Sequence, residues 1–114
     1  MTSPVQVLSE PECWAMLKSQ ELGRLAFHHD DGVRITPVNY AVAGDHIVFR
    51  TGDGSMFSDL LQAADVAFEV DVASDSTAES VVCRGVAIEL HGEQALMTDQ
   101  LRLRPWVATR KTHT

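Results

Sequence analysis

The 114-residue chain has no apolar run that approaches the ~20 residues a membrane-spanning helix needs. It is also short of positive charge. Nine Lys and Arg stand against 16 Asp and Glu, a formal charge of −7. Nucleic-acid binding needs clustered Lys and Arg to neutralise phosphates, so a general nucleic-acid binder is excluded. The same shortage argues against a polybasic membrane-docking surface. Met1–Gln6 shows no basic stretch followed by an apolar one, so no secretory signal is visible. The two cysteines, Cys13 and Cys83, form no CxxC pair and sit among apolar neighbours. They read as free buried thiols in a reducing cytoplasm. No Cys/His cluster suggests zinc, and no metal site is expected. His28 and His29 are adjacent on a predicted strand, so they point to opposite faces and cannot share a metal. There is no internal repeat and no linker.

What is present is one domain's worth of chain, residues 1–114, with 45% hydrophobic residues. A core this small buries a modest share of its surface, and oligomerisation would help it. Ser9-Glu10-Pro11-Glu12 is a capping box, with Pro11 tolerated in the first helical turn. Cys13, Trp14, Met16 and Leu17 then share one helical face, and Gly23 is the expected stop. Strand signals follow. Leu25–His29, Val33–Val42 and His46–Thr51 are joined by turns at Asp30-Asp31-Gly32 and Ala43-Gly44-Asp45. Pro37 lies inside the second of these strands. It cannot donate to a ladder, so it marks an edge or a bulge. Met56, Phe57, Leu60, Leu61 and Ala64 have helical spacing, and Val66, Phe68, Val70 and Val72 alternate as a half-buried strand. Val81–Leu90 is a long strand with Gly85 as its expected bulge. Glu93–Leu103 reads as a helix that Pro105 would end, before a polar, basic tail from Val107 to Thr114. Five strands without βαβ alternation predict a mainly β chain, a closed or nearly closed antiparallel barrel with short α-helices.

One stretch has the makings of an anion site: Arg50-Thr51-Gly52-Asp53-Gly54-Ser55-Met56, between a strand and a helix. Glycines allow successive N–H groups to point one way, and a helix start adds a positive dipole end. Arg50 supplies a phosphate-matching fork, and Thr51 and Ser55 supply hydroxyls. It is not a nucleotide P-loop, because GK[ST] is absent. The alternative is an ordinary loop carrying a surface Arg. A second stretch is Thr36-Pro37-Val38-Asn39-Tyr40. Where Pro37 interrupts pairing, backbone groups are freed, and a flat heteroaromatic ring with polar edges could take them. The alternative there is a plain edge strand.

The order and spacing of several segments resemble the pyridoxamine 5′-phosphate oxidase-like family, in its small nitroimidazole-resistance-like branch. The segments are Leu8–Trp14, Leu22–Phe27, Pro37–Tyr40, Val48–Thr51, Val66–Asp71, Val82–Gly85 and Leu103–Trp106. The resemblance implies a Greek-key split β-barrel, a homodimer, and FMN at the dimer interface, some relatives using F420 and others haem. Carried over by position, Pro37, Val38, Asn39 and Tyr40 would line the flavin ring. Arg50, Thr51, Ser55 and Met56 would surround its phosphate, and Trp106 would approach the flavin of the opposite subunit. Two departures stand out. Relatives read Gly-Ser-Lys where this chain reads Gly54-Ser55-Met56, and they continue past Pro105-Trp106 into a final strand, which is expected here to be missing or rebuilt. Two functions follow from the resemblance: an FMN-dependent oxidoreductase acting on an unspecified small molecule, and a non-catalytic relative that binds F420, haem or nothing and serves as an interaction module. Pyridoxamine phosphate oxidation itself is disfavoured, because the chain is much shorter than those enzymes.

Overall fold

The helix signalled by the capping box forms as expected. In the computed structural model of the chain, residues 5–29, 32–49, 59, 60, 62, 63, 65–75, 77–88 and 99–112 are described. Their elements are β1 (Val5–Val7), α1 (Glu10–Ser19), β2 (Leu22–His29), β3 (Gly32–Ala43), β4 (His46–Phe49), β5 (Val66–Ala73), β6 (Thr77–Ile88) and β7 (Asp99–Thr112). Ser9 caps α1. Its hydroxyl accepts the Glu12 N–H at 3.3 Å, and the Glu12 carboxylate accepts the Ser9 N–H at 2.9 Å. Cys13, Met16 and Leu17 are buried, and Trp14 packs at the margin of the core.

Gly23 does not stop the helix. The chain leaves α1 at Gln20 in an extended conformation, and Gly23 lies inside β2. Its missing side chain makes room for a neighbour. A Cβ there would overlap the Phe68 ring, 2.7 Å from Cε1, and press on the Glu69 carbonyl oxygen at 3.0 Å.

The strands run β1-β7-β4-β3-β2-β5-β6, and β7 pairs again with β6. This second pairing closes the ring β7-β4-β3-β2-β5-β6, with β1 laid on the far end of β7. All pairings are antiparallel. The architecture is thus the expected mainly β, antiparallel split barrel. The split shows in β3. Its residues 32–39 pair with β2, and only 40–43 pair with β4.

The C-terminal third departs from expectation. Residues 99–103 were expected to be helical but begin β7, and Pro105 lies within that strand. Leu101, Leu103 and Val107 alternate with Arg102, Arg104 and Trp106, which is a period of two. The 12-residue β6 needs a ladder partner along its length, and β7 supplies it from Gln100 to Thr112. Residues 107–112, read as a tail, are therefore strand. Residues 93–98 of the expected helix lie outside the described residues, while Asp59, Leu60 and Gln62 of the earlier one are helical. The bulge is also elsewhere. Gly85 stays in register with Val66 and Leu103. The register shifts instead between Val82, opposite Val107, and Cys83, opposite Pro105, which leaves Trp106 as the extra residue. Pro105 has no N–H for the ladder, so the break falls beside it.

The core collects Leu17, Leu25, Phe27, Ile47, Phe49, Leu60, Val66, Phe68, Val70, Val81 and Cys83 inside the ring. Tyr40 joins them, its ring meeting Phe68 edge to face at 4.8 Å and 73°. Its hydroxyl donates to the Leu17 carbonyl at 2.6 Å, and its N–H donates to the Glu21 carbonyl at 2.9 Å. The last turn of α1 is thereby tied to β3. No helix among the described residues is long and apolar enough to cross a membrane.

Two stability outcomes follow. Gly23→Ala forces a methyl group onto Phe68 and should cost about 1–3 kcal/mol, the usual range for overpacking. Tyr40→Phe leaves the Leu17 carbonyl without its buried donor and should cost about 1–3 kcal/mol. Urea titration followed by circular dichroism measures both, and an unchanged midpoint would contradict the corresponding contact.

Candidate functional site

β3 carries the first candidate segment, and its pleat sorts the four residues. Val38 and Tyr40 face the core, while Pro37 and Asn39 face outward. Pro37 stands opposite Arg24 of β2 without a register shift. On the other side, pairing with β4 begins only at Tyr40. Among the described residues Pro37 therefore occupies a one-sided edge, where its missing N–H breaks no ladder bond. The arrangement limits what each residue can offer a ligand on the outer face. Pro37 and Asn39 can present side chains there. Val38 and Tyr40 point inward, and the Tyr40 hydroxyl and N–H are already committed to Leu17 and Glu21.

Arg50, Thr51, Ser55 and Met56 lie outside the described residues. The structure does describe what leads into and out of that segment. Before it, β4 ends at Phe49, fully buried in the core. After it, Leu60 is fully buried too. Both ends of the glycine segment are thus pinned to the same core. Between the second anchor and the segment, the Asp59 carboxylate forms an ion pair with Arg34 of β3 at 3.1 Å. Arg34 shares the inward register of Val38 and Tyr40, yet it is half exposed because it lies toward the end of the strand. A guanidinium has five N–H donors, so one carboxylate does not saturate it. Sequence reasoning missed Arg34. The signal was an Arg at inward parity, four and six residues before two core positions.

Trp106 is placed by its backbone alone, at the β7 bulge opposite Val82 and Cys83. The structure does not bring Trp106 beside Pro37 through any direct strand pairing, since β7 borders β4, β6 and β1.

Other polar groups are held in pairs. Arg24 donates to Glu69 through Nε at 2.9 Å and also reaches Asp71, and Arg84 pairs with Asp65 at 2.6 Å. Burial pushes the Glu69 carboxyl up, and the Arg24 hydrogen bond opposes the rise. An open groove of about 350 Å³ lies along α1, lined by Leu8, Glu12, Met16, Ser19, Val72 and Glu79 among others. Among the described residues, no group of three or more His, Cys, Asp or Glu side chains could hold a metal. The thiols are buried and free. Burial pushes Cys83 up to about 12, with the neighbouring Cys13 adding to the shift. Cys13 is raised by burial and by the nearby Glu12 and Glu10. Neither is a thiolate nucleophile at neutral pH.

The whole arrangement has relatives. The profile of the pyridoxamine 5′-phosphate oxidase family matches residues 9–114. The chain is 32% identical to the FAD binding protein from Mycobacterium smegmatis, covering 97% of this chain and 100% of that one with a TM-score of 0.78. An FAD-binding protein from Mesorhizobium loti is 21% identical with a TM-score of 0.82, covering 98% of this chain and 99% of that one. A candidate 5-nitroimidazole antibiotic resistance protein from Bacteroides thetaiotaomicron is 9% identical with a TM-score of 0.82, covering 98% and 90%. The last two show the fold alone. No curated protein sequence matches the chain significantly. The chain belongs to the pyridoxamine 5′-phosphate oxidase family, and its fold is that family's split barrel. The family name does not fix an activity.

The raised thiol and phenol values give a pH outcome. Cys83 and Tyr40 are both pushed up to about 12, in each case chiefly by burial. In the unfolded chain they ionise in their ordinary ranges, so the unfolded state loses protons first as pH rises. Their contribution to stability is complete at neutral pH and is lost from the ordinary cysteine range up to about pH 12. Thermal melts should fall across that window, and native protein at pH 8 should resist thiol reagents that label it once unfolded. Rapid labelling of the native protein would contradict the burial.

Proposed function

We propose that the chain is a flavin-binding protein that holds its cofactor between two copies and serves as an oxidoreductase. The observation that carries this reading is the match, over nearly the full length of both chains, to a mycobacterial protein named for binding FAD. The donor set fits a flavin phosphate. Arg50, Thr51 and Ser55 provide a fork and two hydroxyls on a glycine-rich segment, and Arg34 stands at its far end through Asp59. Pro37 and Asn39 offer an outward face to a flat ring, and Val38 and Tyr40 hold the strand to the core behind them. Trp106 is assigned to the flavin of the opposite subunit.

FMN is the flavin that the family resemblance implies. The phosphate common to FMN and FAD is what these residues recognise, and two relatives are named for FAD. F420 is the alternative. When bound, the flavin supplies the redox chemistry, and the protein supplies position and electrostatics. The phosphate ligands anchor one end of the cofactor, and the β3 edge orients the other. The compartment expected is the cytoplasm, and the substrate is a small molecule.

A non-catalytic reading has one observation in its favour, Met56 at the position where relatives carry lysine. A charge-assisted hydrogen bond contributes about 1.5–3 kcal/mol. Its absence costs roughly one to two decades in affinity. Such a protein would bind flavin weakly, bind F420 or haem, or serve as an interaction module.

Titration of the purified chain with FMN, FAD and F420, followed by absorbance and thermal shift, tests the main reading. No response to any flavin would overturn it. Turnover of the bound flavin with NAD(P)H and an acceptor would exclude the non-catalytic reading. Arg34→Gln should weaken FMN roughly tenfold or more and leave riboflavin, which has no phosphate, unchanged. Met56→Lys should tighten FMN by a similar factor, read in the same titration.

A further inference from the structure

One guanidinium on the outer face of the sheet has donors to spare. Gly23, Leu25 and Phe27 of β2 are buried, so Leu22, Arg24, Ala26 and His28 take the outer side. Val33 and Ile35 stand exposed on the same side of β3. Arg24 lies directly opposite Pro37 of β3 on one flank and Glu69 of β5 on the other. It is therefore the cross-strand neighbour of the outward segment that carries Pro37 and Asn39.

A guanidinium has five N–H groups, and Arg24 spends three of them. Nε donates to Glu69 Oε1 at 2.9 Å, and Nη2 donates to the same oxygen and to Asp71 Oδ1, each at 2.5 Å. Nη1 has no partner among the described residues. The group is planar, so the bonded nitrogens fix where the third one lies. Glu69 sits against the Nε–Nη2 edge, which leaves Nη1 on the side away from β5. β3, with Pro37, is the strand on that side of β2. Glu69 alone would tie β2 to β5. Asp71 adds a second hold on Nη2 and so sets the orientation of Nη1. Donors fixed in advance lose little freedom when a ligand arrives.

Charge decides what those donors can take. Arg24, Glu69 and Asp71 together carry −1, so an anionic group that approached Nη1 would also meet two carboxylates. A neutral acceptor meets no such repulsion. A flavin ring has carbonyl oxygens on one edge, and Pro37 and Asn39 are the residues assigned to that ring. We infer that Arg24 binds the flavin ring: Nη1 donates to a ring carbonyl oxygen, with Glu69 and Asp71 as the positioning residues that hold the guanidinium. The inference rests on the flavin reading proposed above and adds recognition of the ring to recognition of the phosphate. Reduction makes the ring richer in electrons, so this donor holds the reduced form more tightly than the oxidised one.

Riboflavin, which has the ring and no phosphate, is the probe, titrated against the full chain alongside FMN. Arg24→Gln should weaken both by a similar factor, roughly tenfold, and should lower the midpoint potential of bound FMN. Arg84→Gln breaks the ion pair with Asp65 on the same sheet and should change neither reading. Arg24→Lys keeps the charge and a partner for Glu69, but an ammonium has no second edge to aim. It should therefore fail to restore binding or potential, and it replaces the glutamine variant if that one does not fold. A wild type that binds no flavin would overturn the flavin reading and this assignment with it. Flavin binding by the wild type with a loss confined to FMN, an unchanged potential in the Arg24 variants, or full recovery in Arg24→Lys would overturn the Arg24 assignment alone.

Discussion

Tyr40 sits where, among the described residues, the pairing of β3 with β2 meets its pairing with β4. Residues 32–39 of β3 pair with β2, and residues 40–43 pair with β4. At that junction its N–H donates to Glu21, its hydroxyl donates to Leu17 and its ring meets Phe68. Phe68 can reach Tyr40 because Gly23 leaves its ring the room. One residue thus joins α1, the turn before β2, β3 and β5. A buried hydroxyl bound to a carbonyl is costly to leave unpaired, so this joint is directional as well as apolar.

The rest of the arrangement follows from that joint. Among the described residues β4 pairs with only the last part of β3, and Pro37 breaks no described ladder bond. The pleat then decides the faces. It buries Val38 and Tyr40 and turns Val33, Ile35, Pro37 and Asn39 outward. On the other side of β3, Arg34 forms an ion pair with Asp59.

Much of this was legible in the sequence because it depends on neighbours a few residues apart. The capping box of α1, the buried face of Cys13, Met16 and Leu17 and the alternation from Val66 to Val72 are local patterns, and they appear as read. The failures share a cause. Gly23 reads as a helix stop until Phe68, 45 residues away, is placed over it. Residues 99–103 were read as helical although Leu101 and Leu103 alternate, because the partner strand that rewards alternation is distant in sequence. The bulge expected at Gly85 of β6 falls instead at Trp106 of β7, beside Pro105 on that same strand. Arg34 was invisible as a site residue, since only the approach of Asp59 gives it a role.

By itself, the sequence determined the class of fold, the capped helix, the buried thiols and the residue types suited to a phosphate. Each is a matter of composition or short-range period, which the chain carries with it before it folds. The tertiary structure alone decided which faces those residues occupy: the closure through β7, the placing of Trp106 at a bulge, the Arg34–Asp59 pair, and the exposure of Val33 and Ile35 on one sheet. Strand pairing joins residues far apart in sequence, and a shift of one residue in any register would exchange the two faces. No local pattern encodes that choice, because it is made by the core as a whole when Phe68, Tyr40 and Leu17 come together.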